Sequence, residues 1–336
     1  MKLVIQVPCL NEEATLGLVL DSMPRRVAGI DTIDVVVIDD GSTDATVEVA
    51  RSHGVTHIVH HARTMGLARS FRDGVEYALG LGADIVVNTD GDNQYPQERI
   101  GDLVQPILRG EAEIVIGDRQ TSTIRHFSPF KRVMQRVGSW AVNRAAGTTL
   151  PDAASGFRAY SRRSLYRLNI VTTFSYCMET IIQAGNKRLA ISSVEVTTNP
   201  KTRESRLFSN VFEHMVKSGQ AITRSYVMYR PWTIFAWLTG LFAVAGLTPF
   251  VRFAVLRWLG DEGNHLQSLI LGGAMLVAAL LSLALGILSD LQRTNRILQE
   301  DQLERLRELR YGPLDPAPFV AQGPTRRSKP PRRPGS

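Results

Sequence analysis

Short apolar runs alternate with amphipathic stretches along the first 115 residues of the chain. Runs with the composition of β-strands lie at residues 3–7, 34–38, 57–60, 83–89 and 114–117. Helical patterns separate them at residues 12–22, 43–51 and 68–79. Strands that alternate with helical crossovers predict an α/β fold, in which a mostly parallel sheet carries helices on both of its faces.

The pattern changes after Pro231, where two long segments carry no charged residue. These segments are residues 232–251 and residues 266–289. At about 1.5 Å per residue, each can cross a hydrocarbon core of roughly 30 Å. Because the link between them is too short for a domain, the sequence predicts a helical hairpin with spans at about 232–252 and 266–289. A pair of buried helices in a soluble protein is the alternative.

These changes in pattern divide the chain into predicted parts. They are a catalytic α/β domain at 1–206, juxtamembrane interfacial helices at 207–230, a transmembrane hairpin at 231–290, a helix at 291–312 and a disordered basic tail at 313–336. The juxtamembrane part mixes apolar and charged residues, which fits a helix along the lipid headgroups or one packed on the domain. The length of the charged helix after Asp290 suggests contact with a neighbouring subunit or the membrane surface.

The net charge and the cysteine content exclude some classes of protein. The formal net charge is +7, but the Pro-rich tail after Asp315 holds several basic residues and no acidic one. The rest of the chain is close to neutral, so the charge gives no argument for a nucleic-acid partner. The tail is expected to attract anionic lipid, at about 1 kcal/mol per basic residue. Cys9 and Cys177 form no disulfide framework and indicate a reducing compartment.

Basic residues flank the predicted hairpin on both sides. Arg224 and Arg230 precede it, and Arg293 and Arg296 follow it. No signal peptide is expected, because the apolar N-terminus is short and meets Pro8. Together these features predict a multi-pass protein of the cytoplasmic (inner) membrane, with the catalytic domain and both termini in the cytosol.

Polar clusters follow three of the predicted strands. They are residues 8–12, residues 39–44 and residues 90–94. In open α/β sheets ligands bind beyond the carboxyl ends of the strands, so the three clusters are expected to line one site. Asp90 and Asp92 flank a Gly turn and can point at one Mg²⁺ or Mn²⁺ ion, with Gln94 as a neutral oxygen ligand. A solvated turn is the usual interpretation of an isolated Asp-Gly-Asp, but this one is not isolated.

The order and spacing of five motifs resemble those of family 2 glycosyltransferases with the GT-A fold. The motifs are Pro8-x-x-Asn11-Glu12, Asp39-Asp40-Gly41-Ser42-x-Asp44, Gly66-Leu-Ala-Arg-Ser70, Asp90-Gly-Asp92-x-Gln94-x-Pro96 and Asp152-x-x-Ser155-Gly-Phe-Arg158. The resemblance runs from residue 3 to about residue 207. Within this family, the chain resembles more specifically the polyprenyl-phosphate glycosyltransferases, such as dolichol-phosphate mannose synthases. The two-helix anchor further resembles the two-span bacterial undecaprenyl-phosphate enzymes, and this similarity implies a homo-oligomer such as a tetramer.

The resemblance also implies roles in binding a nucleotide-diphosphate sugar. Asp39 would accept a hydrogen bond from the ring N–H of the base, and the other wall would consist of Pro8, Leu10, Asn11 and Glu12. Relatives often carry an aromatic residue in place of Leu10, so the base stays open between uridine and guanosine. Asp40 lies on the substrate side or, like Asp44, orients the turn and the following helix. The remaining candidates for substrate binding are Ser70, Ser155, Arg158, Glu179, Lys201, Arg203 and Arg206. Arg158 and the run 201–206 suit the donor diphosphate, whereas Glu179 would orient sugar hydroxyls or pair with an arginine.

A cationic segment suited to the acceptor spans residues 119–136. Its basic residues are Arg119, Arg125, Lys131, Arg132 and Arg136. Arginine suits phosphate because its planar fork donates two hydrogen bonds at once. Arg119 and Arg132 match the acceptor-phosphate positions of the family and are assigned to catalysis with Asp90 and Asp92. Arg125 and Lys131 are further candidates, whereas Arg136 fits a solvated helix face.

The acceptor decides which chemistry the site needs. A lipid phosphate is anionic at neutral pH and can attack the sugar directly, whereas a hydroxyl acceptor needs a carboxylate base. The sequence therefore predicts a metal-dependent, inverting glycosyltransferase that moves one sugar from a UDP- or GDP-linked donor to polyprenyl phosphate for cell-envelope glycosylation. One alternative is a family 2 enzyme with a sugar or lipid hydroxyl acceptor. The other is a membrane scaffold without catalytic activity.

Overall fold

The computed structural model describes residues 1–120, 129–171, 176–199, 231–260, 263 and 266–314, except the side chains of residues 129–137. The strands are β1 (Lys2–Cys9), β2 (Thr32–Asp39), β3 (His57–His60), β4 (Ile85–Asn88), β5 (Ile114–Asp118), β6 (Arg158–Ser161) and β7 (Ile191–Glu195). The helices of the α/β domain are α1 (Leu16–Asp21), α2 (Thr46–Ser52), α3 (Leu67–Gly80), α4 (Ile100–Leu108), α5 (Pro129–Ala146), α6 (Arg162–Arg167) and α7 (Tyr176–Asn186). Two longer helices follow, α8 (Pro231–Trp258) and α9 (Leu266–Tyr311).

The strands form one mixed sheet in the order β3-β2-β1-β4-β6-β5-β7. All neighbouring strands are parallel except β6, which runs antiparallel to both β4 and β5. The prediction of a mostly parallel α/β sheet is therefore confirmed, although no local pattern indicated the antiparallel strand. Because β6 is reversed, its first residue, Arg158, pairs with Asn88 at the carboxyl end of β4.

The two faces of the sheet bury separate apolar layers. In β1 the side chains of Leu3 and Ile5 enter one layer and that of Val4 enters the other, as the two-residue period of a strand requires. Leu16 of α1 packs in the first layer, whereas Phe71 of α3 packs in the second. Each such side chain stabilises the fold by about 1.5–3 kcal/mol relative to its exposed state. This two-sided burial holds the carboxyl ends of the strands at one rigid edge.

Helices α8 and α9 are each long and apolar enough to cross a membrane. Only 6% of the apolar window of α8 and 22% of that of α9 are buried, and Trp237 is 79% exposed. This exposure does not fit the alternative of two buried helices in a soluble core. The sequence analysis predicted separate segments before and after residue 290, but α9 continues as one helix through this position to Tyr311.

Small residues allow the two long helices to approach each other closely. A Cβ atom added to Gly272 would lie 2.9 Å from the carbonyl oxygen of Gly246 and 2.9 Å from Phe250 Cε2. A Cβ atom on Gly246 would lie 2.9 Å from Leu276 Cγ. Backbones at this separation have no room for a larger side chain, so the glycines set the helix–helix distance.

The substitution Gly272→Val should weaken the packing of the hairpin. Because the added atoms meet backbone and an aromatic ring, we expect a loss of about 1–3 kcal/mol, as is usual for overpacking. Thermal unfolding of the purified protein in detergent would measure it. Gly273→Val is the matched control, because a Cβ atom at Gly273 meets nothing within 4 Å. Equal effects of the two substitutions would contradict close packing at Gly272.

Candidate active site

The three polar clusters meet at the carboxyl edge of the sheet. In the ladder, Cys9 at the end of β1 pairs with Asp39 at the end of β2. The backbone N–H of Asp40 donates to the carbonyl of Cys9 at 2.9 Å, and that of Thr89 donates to the carbonyl of Gln6 at 3.1 Å. The loops that follow β1, β2 and β4 therefore leave the sheet side by side, as the sequence predicted.

The turn between Asp90 and Asp92 is held in place by the loop after β1. Thr15 Oγ1 lies 2.8 Å from the carbonyl oxygen of Gly91 and 2.9 Å from Glu12 Oε2. A Cβ atom on Gly91 would lie 2.9 Å from Cys9 Sγ. Only glycine allows this approach, so the spacing of the two carboxylates depends on a residue without a side chain.

Asp92 is oriented by Gln94. The backbone N–H of Gln94 donates to Asp92 Oδ1 at 3.1 Å, and its side-chain Nε2 donates to Asp92 Oδ2 at 2.6 Å. The loop is fixed from the other side by Asn199, whose side-chain amide donates to the carbonyl of Asn93 at 3.1 Å. Gln94 therefore orients the Asp92 carboxylate through its donors, and its role as a neutral oxygen ligand of the ion stays a prediction.

Asp90 is partly buried beside the segment that leads into β6. A Cβ atom on Gly156 would lie 3.2 Å from Asp90 Oδ2, so the carboxylate lies against the backbone at the start of the segment that leads into β6. Burial and repulsion from Asp92 raise the pKa of Asp90 to about 7, although the charge of Arg119 opposes the shift. A carboxyl group whose pKa is raised by burial and by a neighbouring carboxylate suits a divalent cation, which removes the repulsion between the two acids.

The acid pair does not form a complete metal site by itself. Within the described part of the chain, no group of three or more His, Cys, Asp or Glu side chains could hold a metal ion. Mg²⁺ is commonly bound through one or two carboxylates together with substrate phosphates and water. The donor set at Asp90 and Asp92 therefore fits an ion that binds together with a diphosphate.

Arg119 borders the same edge and is paired with Asp152. Its Nε donates to Asp152 Oδ2 at 2.7 Å and its second amino group donates to Asp152 Oδ1 at 3.1 Å. Burial opposes both charges, but the attraction of Arg119 holds the pKa of Asp152 below its usual range. Asp152 is fully buried, whereas 21% of the Arg119 side chain is exposed. The carboxylate thus fixes a guanidinium group that still reaches the surface of the site.

Arg158 makes its contacts inside the domain, and its binding of the donor diphosphate stays a prediction. Its side chain is fully buried. The guanidinium donates to the carbonyls of Ser155 at 2.7 Å, Ala153 at 2.9 Å and Cys177 at 2.8 Å, and to Thr180 Oγ1 at 2.9 Å. These acceptors come from the segment before β6 and from α7. Arg158 therefore stabilises the floor beneath the acid pair.

The predicted base-binding wall has a hydrogen-bond network of its own. Asp39 is fully buried; its Oδ1 accepts from the backbone N–H of Ser42 at 3.0 Å, and its Oδ2 lies 2.6 Å from His60 Nδ1. Asp40 accepts from the backbone N–H groups of Met65 at 2.8 Å and Gly66 at 2.9 Å. Asp40 therefore orients the turn before α3, whereas its predicted structural role was in the turn at 39–44 and the helix that follows that turn.

The loop after β1 is tied to the loop after β2. Asn11, whose φ is +56°, accepts from the backbone N–H of Thr43 at 2.8 Å. The backbone N–H of Glu12 donates to Thr46 Oγ1 at 2.8 Å, and that of Glu13 donates to Asp44 Oδ2 at 3.2 Å. Pro8 is buried at the end of β1, whereas Leu10 is half-buried at the start of the loop. These contacts keep the wall rigid.

Three other predicted substrate contacts have buried side chains with contacts inside the domain. Ser70 is fully buried and its hydroxyl donates to the carbonyl of Gly66 at 3.3 Å. Ser155 is fully buried in the turn that precedes β6. Glu179 is 4% exposed and accepts from the backbone N–H of Val171 at 3.2 Å. These contacts hold the side chains of Ser70, Ser155 and Glu179 in fixed positions, and their contacts with donor or sugar stay predictions.

Several predicted phosphate-binding residues lie outside the described residues. They are Arg125, Lys201, Arg203 and Arg206. Lys131, Arg132 and Arg136 belong to α5, whose backbone is described there without side chains. Helix α5 begins at Pro129, so the backbone of these three residues follows shortly after Arg119 in the chain.

The sequence analysis missed two histidines and two tyrosines at this edge. His60 contacts Asp39, and His61 Nδ1 lies 2.8 Å from Asp40 Oδ1. The parallel register of β2 and β3, which pairs Asp39 with His60, is the signal that could have revealed the first contact. Tyr95 Oη accepts from the backbone N–H of Gly156 at 2.9 Å, and Tyr176 Oη accepts from Asn88 Nδ2 at 2.7 Å. No sequence spacing connects these tyrosines to their partners.

The comparisons with known proteins agree with this architecture. The profile of glycosyl transferase family 2 matches residues 4–168. The chain is 30% identical over 202 residues to the dolichyl-phosphate hexose transferase of Haloferax volcanii, over 59% of this chain and 82% of that protein. It is 25% identical over 259 residues to the undecaprenyl-phosphate mannosyltransferase of Micrococcus luteus, over 74% of this chain and 100% of that protein.

The fold has a counterpart among solved structures. Glucosyl-3-phosphoglycerate synthase of Mycobacterium tuberculosis, solved with Mn²⁺, uridine diphosphate and glucosyl-3-phosphoglycerate, matches with a TM-score of 0.52 and 24% identity, covering 68% of this chain and 79% of that chain. The mixed sheet and its polar carboxyl edge thus define a glycosyltransferase with the GT-A fold. The chain belongs to glycosyl transferase family 2, and the resemblance stated from its motifs is confirmed.

Proposed function

We propose that this enzyme transfers one sugar from a nucleotide-diphosphate sugar to a polyprenyl phosphate at the cytoplasmic face of a membrane. The observation that carries the proposal is the acid pair Asp90 and Asp92 beside the partly exposed Arg119, in a chain with two exposed apolar helices. Relatives named for transfer of hexose or mannose to dolichyl or undecaprenyl phosphate support this choice of acceptor.

On this proposal, Asp90 and Asp92 hold Mg²⁺ or Mn²⁺. When bound, the ion neutralises charge that develops on the leaving diphosphate. Gln94 keeps the Asp92 carboxylate in one orientation, and the Gly91 turn keeps the two acids at the spacing the ion needs. Asp39 and the loop after β1 form the pocket for the base, which is uridine or guanosine. The chain's own contribution is to arrange these charges before the substrate binds.

The acceptor phosphate needs a cation rather than a base. Because this phosphate is already anionic, it can attack the sugar carbon without a protein base. A direct in-line displacement of the leaving diphosphate inverts the configuration at that carbon. Arg119, held by both oxygens of Asp152, offers a fixed positive charge for that phosphate. Arg132 is proposed as its partner on α5, with Arg125 and Lys131 beside them. Lys201, Arg203 and Arg206 are proposed to contact the donor diphosphate.

The domain boundaries and topology are part of the same proposal. The α/β domain at 1–206 and both chain ends lie in the cytosol, and α8 with the first part of α9 forms the hairpin in the cytoplasmic membrane. Residues 207–230 lie along the headgroups and the basic tail attracts anionic lipid. A homo-oligomer, such as a tetramer, stays a prediction.

The decisive experiment uses purified protein with polyprenyl phosphate, a panel of UDP- and GDP-sugars, and Mg²⁺ or Mn²⁺. Mass spectrometry of the extracted lipid should detect one sugar joined to the lipid phosphate, and NMR of the product should find inversion at the anomeric carbon. Transfer only to a sugar or lipid hydroxyl would favour the alternative acceptor. Transfer to neither acceptor with any donor would favour the non-catalytic scaffold.

Metal binding should depend on pH through Asp90. Since its pKa is about 7 without the ion and binding requires the ionised form, the affinity for Mn²⁺ should be constant above this pH and fall below it. The fall approaches about tenfold per pH unit for one proton displaced. Electron paramagnetic resonance of free Mn²⁺, in titrations with a saturating nucleotide-sugar donor and no acceptor, would measure it. Asp90→Asn should remove this pH dependence together with most of the affinity, and an affinity independent of pH in the unmodified protein would contradict the assignment.

A further inference from the structure

The far end of α9 returns to the catalytic domain. Residues 300–314, here called the docking segment, contact the domain through buried charges and apolar residues. Arg307 is 9% exposed and donates from one amino group to the carbonyls of Leu165 at 3.0 Å, Tyr166 at 2.9 Å and Leu168 at 2.6 Å. These carbonyls lie at the C-terminal end of α6 and in the residue that follows it. Arg307 therefore serves as a cap for α6, provided by a distant part of the chain.

Further contacts fix the segment along its length. Glu300, 7% exposed, pairs with Lys187 Nζ at 2.8 Å, next to the end of α7. The carbonyl of Gly312 accepts from Tyr166 Oη at 3.0 Å. Tyr311 and Leu314 pack against the apolar layer that contains α3 and α7. The contact therefore runs from the buried charge of Glu300 to the partly buried apolar side chains of Tyr311 and Leu314.

The same helix contains the apolar span. From the last residue of the uncharged segment, Ser289, the helix runs without a break to Arg307, about 27 Å at 1.5 Å per residue. A continuous helix fixes both the distance and the relative rotation of the two parts that it connects, whereas a flexible linker fixes neither. Helix α6 follows β6 directly, and β6 begins at Arg158 beneath the acid pair. The docking segment is thus connected by rigid elements to the catalytic edge.

We propose that the part of α9 beyond the apolar span is a rigid strut that fixes the height and rotation of the catalytic domain over the membrane. Arg307 is its main positioning residue. The strut determines how far the catalytic edge stands from a phosphate embedded in the bilayer. The docking itself is independent of the substrate, but its effect on lipid acceptors rests on the proposed function.

A crosslinking experiment tests the docking without an activity assay. Arg167 Nε and Glu304 Oε2 lie 3.6 Å apart across the contact. In full-length protein reconstituted in nanodiscs, the pair Arg167→Cys and Glu304→Cys should be joined by a short bismaleimide, and peptide mass spectrometry would detect the link. Adding Arg307→Met should lower the yield severalfold, whereas Arg305→Met, an exposed change on the same helix, should not. Absence of the crosslink, or equal yields with both changes, would overturn the docking.

A kinetic experiment tests what the docking does. The unmodified enzyme and Arg307→Met are compared on undecaprenyl phosphate in nanodiscs and on a short-chain, water-soluble prenyl phosphate. Arg307→Met should raise the KM for the embedded acceptor about tenfold, because misplaced reactants lose effective concentration. The KM for the donor and the rate with the soluble acceptor should be unchanged. A general structural defect would lower both rates equally, and that result would overturn the positioning role.

Insertions separate height from rotation. Two alanines inserted within the exposed residues 291–295 rotate the docking segment about the helix axis by about 200°. Seven alanines inserted there leave it within about 20° of its original orientation and lengthen the helix by about 10 Å. Two should keep the crosslink, because the domain turns with the strut, and should lower transfer to the embedded acceptor. Seven should keep the crosslink, keep transfer to the soluble acceptor and lower transfer to the embedded one. Full activity of the seven-residue insertion on the embedded lipid would overturn the strut. If the unmodified enzyme uses neither acceptor, the proposed function fails, while the crosslink still decides the docking.

Discussion

Asp92→Asn is expected to lower kcat for sugar transfer by at least about 10²–10³-fold, the usual loss when one preorganised charge-stabilising group is removed. The amide keeps the shape of the side chain but loses the negative charge that attracts a divalent cation. Gln94 can still donate to the remaining oxygen, so the loop should keep its conformation. Steady-state kinetics with saturating donor and Mn²⁺ would measure the loss, and circular dichroism would check the fold. Retention of full activity would exclude the acid pair from the mechanism.

The substitution of the neighbouring acid, Asp90→Asn, should abolish activity but raise the stability of the metal-free fold. Because burial and Asp92 raise the pKa of Asp90 to about 7, its ionisation destabilises the metal-free fold as pH rises from the ordinary value of 3.8 towards 7. Asp90→Asn should remove this pH-dependent loss and raise the free energy of unfolding at pH 8, while abolishing transfer. Asp102→Asn, at a half-exposed position on α4, is the matched control and should change neither quantity. A less stable Asp90→Asn protein would contradict the repulsion between the two acids.

Arg158→Met is expected to destabilise the α/β domain by several kcal/mol, since each buried acceptor left without its donor costs about 1–3 kcal/mol. Methionine fills much of the space but leaves the carbonyls of Ser155, Ala153 and Cys177 without their donor. Urea unfolding of the detergent-solubilised protein would measure the loss. The matched control is Arg109→Met, since Arg109 and its partner Glu111 are both more than half exposed and such a pair contributes about 0–1 kcal/mol.

The same substitution distinguishes the structural role from the role predicted by the sequence. If Arg158 bound the donor diphosphate, Arg158→Met would leave unfolding unchanged and raise the KM for the donor sharply. If Arg158 instead stabilises the backbone beneath the acid pair, the Arg158→Lys variant should also be less stable than the unmodified protein. A single ammonium group cannot reach all the carbonyls that a planar guanidinium contacts through three nitrogens. Normal stability of both variants would refute the structural assignment.

Local composition and pattern were sufficient for some elements. The predicted strand at 57–60 coincides with β3, and the predicted helix at 68–79 lies within α3. The helix predicted from residue 12 begins only at Leu16, because Glu12 and Thr15 are engaged in the turn that holds Gly91. Strand β6 was missed because four residues between a turn and a helix carry too little periodicity. Its direction follows from its neighbours β4 and β5.

Residue type and spacing alone determined the class of enzyme, the acid pair on its Gly turn and the two apolar helices, since each depends on groups within a few residues of one another. Tertiary structure alone decided which charged residues are enclosed in the domain. Arg119 and Arg158 are the same amino acid next to neighbouring strands, yet one is fixed at the surface by Asp152 and the other is enclosed by backbone carbonyls. Burial and hydrogen-bond partners come from segments far apart in the chain, and no local pattern records them.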